Sequence, residues 1–196
     1  MSTECNFYNV TVGISARHLH LSKEDLEKLF GKGYELTPVK DLSQPGQFAS
    51  DERVNIIGPK GRIDNIRILG PIRKKTQVEI AKTDSFRLGI KPPVRDSGDI
   101  KGSPGITIEG PKGTIDIEEG VIGALRHIHM TPEDAEKYGC HDKEIVKVKV
   151  EGDRALIFGE VIIRVREDFA LDFHIDTDEA NAANLSNGDI VKFFKA

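Results

Sequence analysis

At 196 residues, with 31% of them charged and a formal net charge of −4, the chain is long enough to bury a core as one domain or as two small intertwined ones. That charge balance excludes a dedicated nucleic-acid binder working through a basic surface. The two cysteines, Cys5 and Cys140, exclude a disulfide framework and a cysteine-rich zinc knuckle. No apolar run approaches the roughly 20 residues of a membrane span, and Met1-Ser2-Thr3-Glu4-Cys5-Asn6 lacks the character of a signal peptide, so a cytoplasmic protein is expected.

In chain order, Val10, Val12 and Ile14 alternate with polar or small residues and predict a half-buried strand. It leads into Ala16-Arg17-His18-Leu19-His20-Leu21. In extended backbone, neighbouring side chains alternate faces, so His18 and His20 point one way and Leu19 and Leu21 the other. Two imidazoles then lie within reach of one metal ion. Ser22 reads as the N-cap of a short helix, with Asp25 at its third position complementing the exposed amides and Gly31 ending it. Residues Val54 to Asp64 read as a β-hairpin turning on Gly58-Pro59-Lys60-Gly61, in which the last glycine can take positive φ without a Cβ penalty.

Gly70-Pro71-Ile72-Arg73-Lys74-Lys75 then gathers three positive charges after a turn. Such a run suits a phosphate, for which Arg offers a planar two-pronged donor and Lys a point charge, although a solvated loop has the same composition. Glu79 alternates with Val78 and Ile80, so it faces away from whatever they pack against. After Gly/Pro-rich punctuation at 91–93 and 97–105, Ile106 to Asp116 repeats the earlier hairpin around Gly110-Pro111-Lys112-Gly113.

The histidine motif then returns as Leu125-Arg126-His127-Ile128-His129-Met130, followed by Thr131, Pro132 and Asp134 as a second helix start and Gly139 as its stop. A duplicated cap motif alone explains Thr and Asp but gives no reason for four of the six histidines to lie in these two copies. His141 reads as an exposed turn residue. Strands are predicted over Ile145–Val150, over Leu156–Val165 as either two strands or one bent at a bulge at Gly159-Glu160, and over Asp189–Lys195, with a short helix near 178–184. In Asp172-Phe173-His174-Ile175-Asp176 the alternation puts Phe173 and Ile175 on the core face and His174 beside Asp172 and Asp176. That position fits either a ligand whose second ring nitrogen is held by a carboxylate or a satisfied surface histidine. Many short strands with Gly/Pro turns favour barrels or a sandwich, and no dinucleotide-binding or Walker-type loop occurs.

Together, Gly13-Ile14-Ser15-Ala16-Arg17-His18-Leu19-His20-Leu21-Ser22, the Gly70-Pro71-Ile72-Arg73 segment leading to Glu79, Arg126-His127-Ile128-His129-Met130, and the run from Asp172 to Asn181 resemble the PduL-type phosphotransacylases, the phosphate propanoyltransferase family. The resemblance covers nearly the whole chain in order. It implies a mainly β fold of two β-barrels capped by short α-helices, the N-terminal strand completing the C-terminal barrel. Barrel 1 is expected from 7–16 and 125–196, and barrel 2 from 17–124 with a small inserted segment near 31–51.

It also implies a metal-dependent acyltransferase exchanging acyl-CoA and phosphate for acyl phosphate and CoA, with an acetyl or propanoyl group carried. His18, His20 and Glu79 would bind one zinc, His127, His129 and His174 a second, and Arg73 the phosphate. Lys74, Lys75, Arg17 and Arg126 would add electrostatic support. The resemblance further suggests a homodimer and a partner kinase that makes ATP from acyl phosphate. Family members packaged in bacterial microcompartments, as in propanediol utilization, carry an extra N-terminal segment; with a first strand starting near Phe7, a free cytoplasmic enzyme is expected.

Three rival readings use the same histidines. A two-domain cupin also joins His-x-His to a glutamate, for which Glu24 and Glu133 have the spacing, but both fall at predicted helix starts. A metallo-β-lactamase-type hydrolase lacks its Asp-His after His20. A non-enzymatic binding module would use ions only to hold its barrels.

Overall fold

The computed structural model describes residues 6–195, so Cys5 lies outside the described residues. The first half of the chain runs through β1 (Tyr8–Ser15), β2 (His18–His20), α1 (Lys23–Phe30), β3 (Pro38–Asp41), β4 (Phe48–Gly58), β5 (Gly61–Gly70), β6 (Gln77–Glu79), α2 (Lys82–Leu88) and β7 (Val94–Arg95). The second half follows with β8 (Ile106–Glu109), β9 (Thr114–Ile117), β10 (Val121–Ala124), β11 (His127–Met130), α3 (Pro132–Tyr138), β12 (Ile145–Val150), β13 (Leu156–Val165), β14 (Asp172–Asp176), α4 (Thr177–Ala183) and β15 (Ile190–Phe194). The fold is mainly β, as the sequence predicts, with four short helices among the described residues where three are expected.

The chain divides into two compact units. Among the described residues the first combines 6–15, Ser43–Pro45 and 125–195. It is a closed six-stranded barrel in the order β1-β14-β11-β13-β12-β15, in which β1 pairs in parallel with β14 and antiparallel with β15. Period-two alternation fills its interior with Val10 and Val12 of β1, Val146, Val148 and Val150 of β12, and Phe158, Val161 and Ile163 of β13. Phe173 and Phe193 are fully buried there. Burial of such side chains contributes about 1.5–3 kcal/mol each. Of the two readings of residues 156–165, one strand bent at a bulge is adopted: the β12–β13 register shifts between Val146 and Val148, and Glu160 takes φ 49°.

The second unit comprises Ala16–Leu42 and Gly46–Ala124. Its sheet runs β7-β10-β6-β2-β5-β4-β8-β9 with β3 paired to β4, forming a half-barrel around Leu19, Leu21, Ile56, Ile68, Val78 and Ile108. The two Gly-Pro-Lys-Gly turns join β4 to β5 and β8 to β9 as predicted. Gly61 and Gly113 do not adopt the positive φ that a turn glycine can take.

Close approach to a helix end is what these glycines permit. The Lys60 N–H donates to the Leu88 carbonyl at the end of α2 (3.1 Å), and the Lys112 N–H to the Leu29 carbonyl in the last turn of α1 (2.9 Å). A Cβ on Gly61 would lie 2.9 Å from the Arg87 carbonyl oxygen, and one on Gly113 2.9 Å from that of Lys28. Each turn thus satisfies a carbonyl that its helix leaves without an internal partner.

Helix α2 was not predicted. Its N-cap, Ala81, offers no side-chain acceptor; the Asp84 carboxylate accepts the Ala81 N–H at 3.3 Å instead. Two of the others start as expected, from Ser22 and Thr131, and the third, expected near 178–184, is capped by Asp176.

Candidate metal centres and their arginines

Both His-x-His segments sit in the same strand setting. In the second unit β2 lies between parallel β5 and antiparallel β6, with His18 opposite Glu79 and His20 opposite Gln77. In the barrel β11 lies between parallel β13 and antiparallel β14, with His127 opposite His174 and His129 opposite Asp172. The intervening Leu19 and Ile128 are fully buried, and the four histidines are buried on the opposite face as well. A half-exposed strand would leave that face in water.

Sheet pairing therefore brings the six predicted ligands into two groups of three. The candidate donor atoms of His18, His20 and Glu79 all lie within 4.8 Å of one another, as do those of His127, His129 and His174. His18 Nδ1 faces the Ala16 carbonyl at 2.8 Å and His127 Nδ1 the Leu125 carbonyl at 2.7 Å; His20 Nδ1 meets the Leu69 carbonyl at 3.0 Å. A carbonyl can only accept, so each Nδ1 carries the proton and each Nε2 keeps its lone pair. That is the arrangement in which an imidazole can ligate, with its other nitrogen fixed by a second partner.

The donor sets fit a divalent cation. In the barrel, His127 Nε2 and His129 Nε2 approach to 2.9 Å, and His129 Nδ1 is buried with no hydrogen-bond partner among the described residues. A neutral His129 relieves the crowding as the Nε2–H tautomer, donating to His127 Nε2, and a second proton would charge the ring. Burial, followed by the neighbouring His127 and His174, holds that pKa far below the imidazole range. In the other group burial, then His18 and Arg73, lower the His20 pKa to about 3, against smaller opposing effects of Glu79 and the Leu69 carbonyl. Burial opposes ionisation of Glu79, but His18, His20, the Ser97 hydroxyl and Arg73 outweigh it and bring its pKa down to about 2. Each group thus contains a buried imidazole that resists protonation, His20 in one and His129 in the other. Imidazole and carboxylate donors suit zinc and other divalent ions alike.

Arg73 is placed beside the first group. Its backbone N–H donates to the Leu21 carbonyl (2.9 Å), and its Nη1 donates to Ser97 Oγ (3.2 Å), whose hydroxyl in turn donates to Glu79 Oε1 (2.7 Å). Gln77 Nε2 also donates to Glu79 Oε1, at 2.5 Å, so one carboxylate oxygen is clamped while Oε2 lies 3.6 Å from His18 Nε2. Sequence reasoning missed Ser97 and Gln77. For Gln77 a signal exists, two residues before Glu79 on the same face; for Ser97, brought in from a loop, there is none.

Arg17 and Arg126 have other partners than a phosphate. Arg17 grips both oxygens of Asp84 at 2.9 Å, and Arg126 lies 3.1 Å from Glu179. The two carboxylates are equivalent: each is the third residue of the helix following the strand that carries the third ligand, five positions after Glu79 and His174. Lys75 pairs with Glu119 (3.2 Å) and Lys74 is exposed. His141 is exposed and joins neither group. Glu24 and Glu133, which a cupin would need as ligands, are exposed in the first turns of α1 and α3.

Comparison with known proteins is consistent along most of the chain. The family model described as phosphate propanoyltransferase matches residues 11–186. A Thermotoga maritima protein named phosphate propanoyltransferase is 68% identical over 183 residues, 93% of this chain and 87% of its own. Proteins of the same name from Listeria monocytogenes and Clostridioides difficile are 56% and 53% identical, each over 95% of this chain and 89% of their own. With the family model spanning both histidine motifs and the strands that complete them, the chain belongs to the phosphate propanoyltransferase family.

Proposed function

We propose that this protein is a metal-dependent phosphate acyltransferase that interconverts a short-chain acyl-CoA plus phosphate with acyl phosphate plus CoA. One zinc ion is assigned to His18, His20 and Glu79, and a second to His127, His129 and His174. The observation that carries the reading is the pair of matching donor triads, buried but for the half-buried His174, in a chain whose relatives are named for this reaction.

In the forward direction the acyl–sulfur bond of the thioester breaks, an acyl–oxygen bond to phosphate forms, and the proton of hydrogen phosphate ends on the CoA thiol. A divalent ion in these donor sets supplies Lewis acidity, which stabilises sulfur as a leaving group and negative charge growing on a carbonyl oxygen. The chain's own part is positional. Arg73, held by the Leu21 carbonyl and Ser97, presents a planar cation that neutralises the phosphate dianion and aligns one of its oxygens for attack. Direct transfer is favoured over an acyl-enzyme. Cys140 is buried, and burial pushes its thiol pKa up, which is the reverse of an activated nucleophile.

Acetyl and propanoyl groups differ by one methylene, which a pocket discriminates by about 1–3 kcal/mol. A soluble cytoplasmic homodimer working beside an acyl-phosphate kinase completes the proposal. The test is phosphate-dependent loss of thioester absorbance with acetyl-CoA and propanoyl-CoA, before and after chelation and with zinc added back. Activity that vanishes and returns with the metal supports the reading. No turnover by fully metallated protein with either thioester would refute it.

A further inference from the structure

The two donor groups are built alike but differ at two linked positions. In the second unit the third donor is the carboxylate Glu79, and the residue two before it on the same strand is the neutral amide Gln77. In the barrel the third donor is the imidazole His174, and the residue two before it is the carboxylate Asp172. The hydrogen bond between the two positions reverses with them. Gln77 Nε2 donates to Glu79 Oε1; at the other centre the contact joins His174 Nε2 and Asp172 Oδ2 at 2.9 Å. Each centre therefore contains one carboxylate, as the third donor in one case and as its holder in the other.

Asp172 has no ordinary structural reason to be a carboxylate. It is only 4% exposed, and its Oδ1 has no hydrogen-bond partner among the described residues. Phe173 and Ile175 point into the barrel core, which leaves Asp172 and His174 together on the other face. Gly13, opposite His174 on β1, keeps that face clear: a Cβ there would lie 2.8 Å from Asp172 Oδ2 and 2.6 Å from His174 Cδ2. His129, directly opposite Asp172, carries a buried nitrogen, Nδ1, that has no hydrogen-bond partner among the described residues either. A buried carboxylate among three imidazoles is stabilised by a cation in their midst.

We infer that Asp172 is the positioning carboxylate of the second centre. It accepts the Nε2–H of His174 and so makes Nδ1 the ligating atom of that histidine, whereas His18, His20 and His127 ligate through Nε2. The inference rests on the metal reading proposed above. With the carboxylate acceptor in place, the imidazole is held in one tautomer and made more basic, and the centre gains the negative charge that Glu79 supplies at the first. Gln77 performs the matching task there by donating, as its partner requires.

Two measurements on the full-length protein test it. In the zinc-loaded, nitrogen-15-labelled protein, long-range proton–nitrogen correlation should show His174 as the Nε2–H tautomer with Nδ1 shifted by the metal. His18, His20 and His127 should show the opposite pattern. In the Asp172→Asn variant, competition with a chromophoric chelator should find the second zinc bound 10–100-fold more weakly, with the first zinc and the circular dichroism spectrum unchanged. Metal on Nε2 of His174, or wild-type affinity in the variant, overturns the role of Asp172 while leaving the metal reading intact. A wild-type protein in which zinc leaves the His127, His129 and His174 resonances unmoved overturns both. If the variant fails to fold, the tautomer in the wild-type protein decides.

Discussion

Gly13→Ala adds one methyl group to the wall of the second centre and touches no proposed ligand in sequence. The new carbon would stand 2.6 Å from His174 Cδ2 and 2.8 Å from His174 Nε2 and Asp172 Oδ2, where about 3.5 Å is the optimum. Something must retreat by close to 1 Å. Strand β14 is hydrogen-bonded on both sides, to β1 and β11, so the ring is expected to move rather than the backbone. Overpacking of this kind costs about 1–3 kcal/mol. If that cost falls on the bound geometry, the second ion is held roughly 5–150-fold more weakly.

The assay is a chelator competition that resolves both ions, run beside Gly159→Ala, a position in the same barrel where an added Cβ meets nothing within 4 Å. Gly159→Ala should bind like the wild type, and Gly13→Ala should lose affinity at one site only. Two ions bound with wild-type affinity in Gly13→Ala would show that His174 does not hold the ion in the position described.

Arg73→Ala should leave both ions bound and the melting temperature nearly unchanged while lowering kcat/KM for phosphate by about 10²–10³-fold, the loss expected for one preorganised charged donor; unchanged kinetics would remove Arg73 from the reaction. Arg73→Lys should recover only part of it, since an ammonium cannot make the two-pronged contact. Away from the centres, burial opposes ionisation of Glu52, but hydrogen bonds from Thr37 and Tyr34 lower its pKa below the ordinary 4.5. Its contribution to stability is therefore present above pH 4.5 and lost as the pH falls below that value, because the unfolded carboxyl takes up its proton first. Glu52→Gln should flatten the acid side of the melting-temperature profile; an unaltered slope would mean that those bonds contribute nothing to folding.

How legible these features are in the sequence depends on how local their causes are. The two His-x-His pairs and the Ser22 and Thr131 caps follow from period-two alternation and short-range hydrogen bonding, and they can be read directly. Glu79 and His174 share their strands' polar faces, but whether such a face is buried is decided by the strand lying opposite, far away in sequence. Periodicity left them open, and the family resemblance singled them out. Helix α2 escaped notice because its start depends on Asp84, which accepts its own N-terminal amide and is gripped by Arg17, 67 residues earlier. The glycines at 61 and 113 were given a local reason, positive φ, where the operative one is a helix end pressed against the turn. Side chains that act on neighbours across the sheet, such as Gln77 and Asp172, acquire a meaning only when the register is known.

The pairing of β1 with β14 and β15 has a temporal side. Tyr8 is partnered by Phe193 and Val12 by Phe173, whereas strands β2 to β10 find all their partners among themselves. On a ribosome adding about 5–20 residues per second, the first strand would wait roughly 10–40 s for its neighbours. Meanwhile the middle of the chain can already be pairing. Val10 and Val12 would stand as an unclosed strand edge during that interval, the kind of surface on which chains associate. Crowding of nascent chains, more than the stability of the finished barrel, should therefore limit the yield of folded protein.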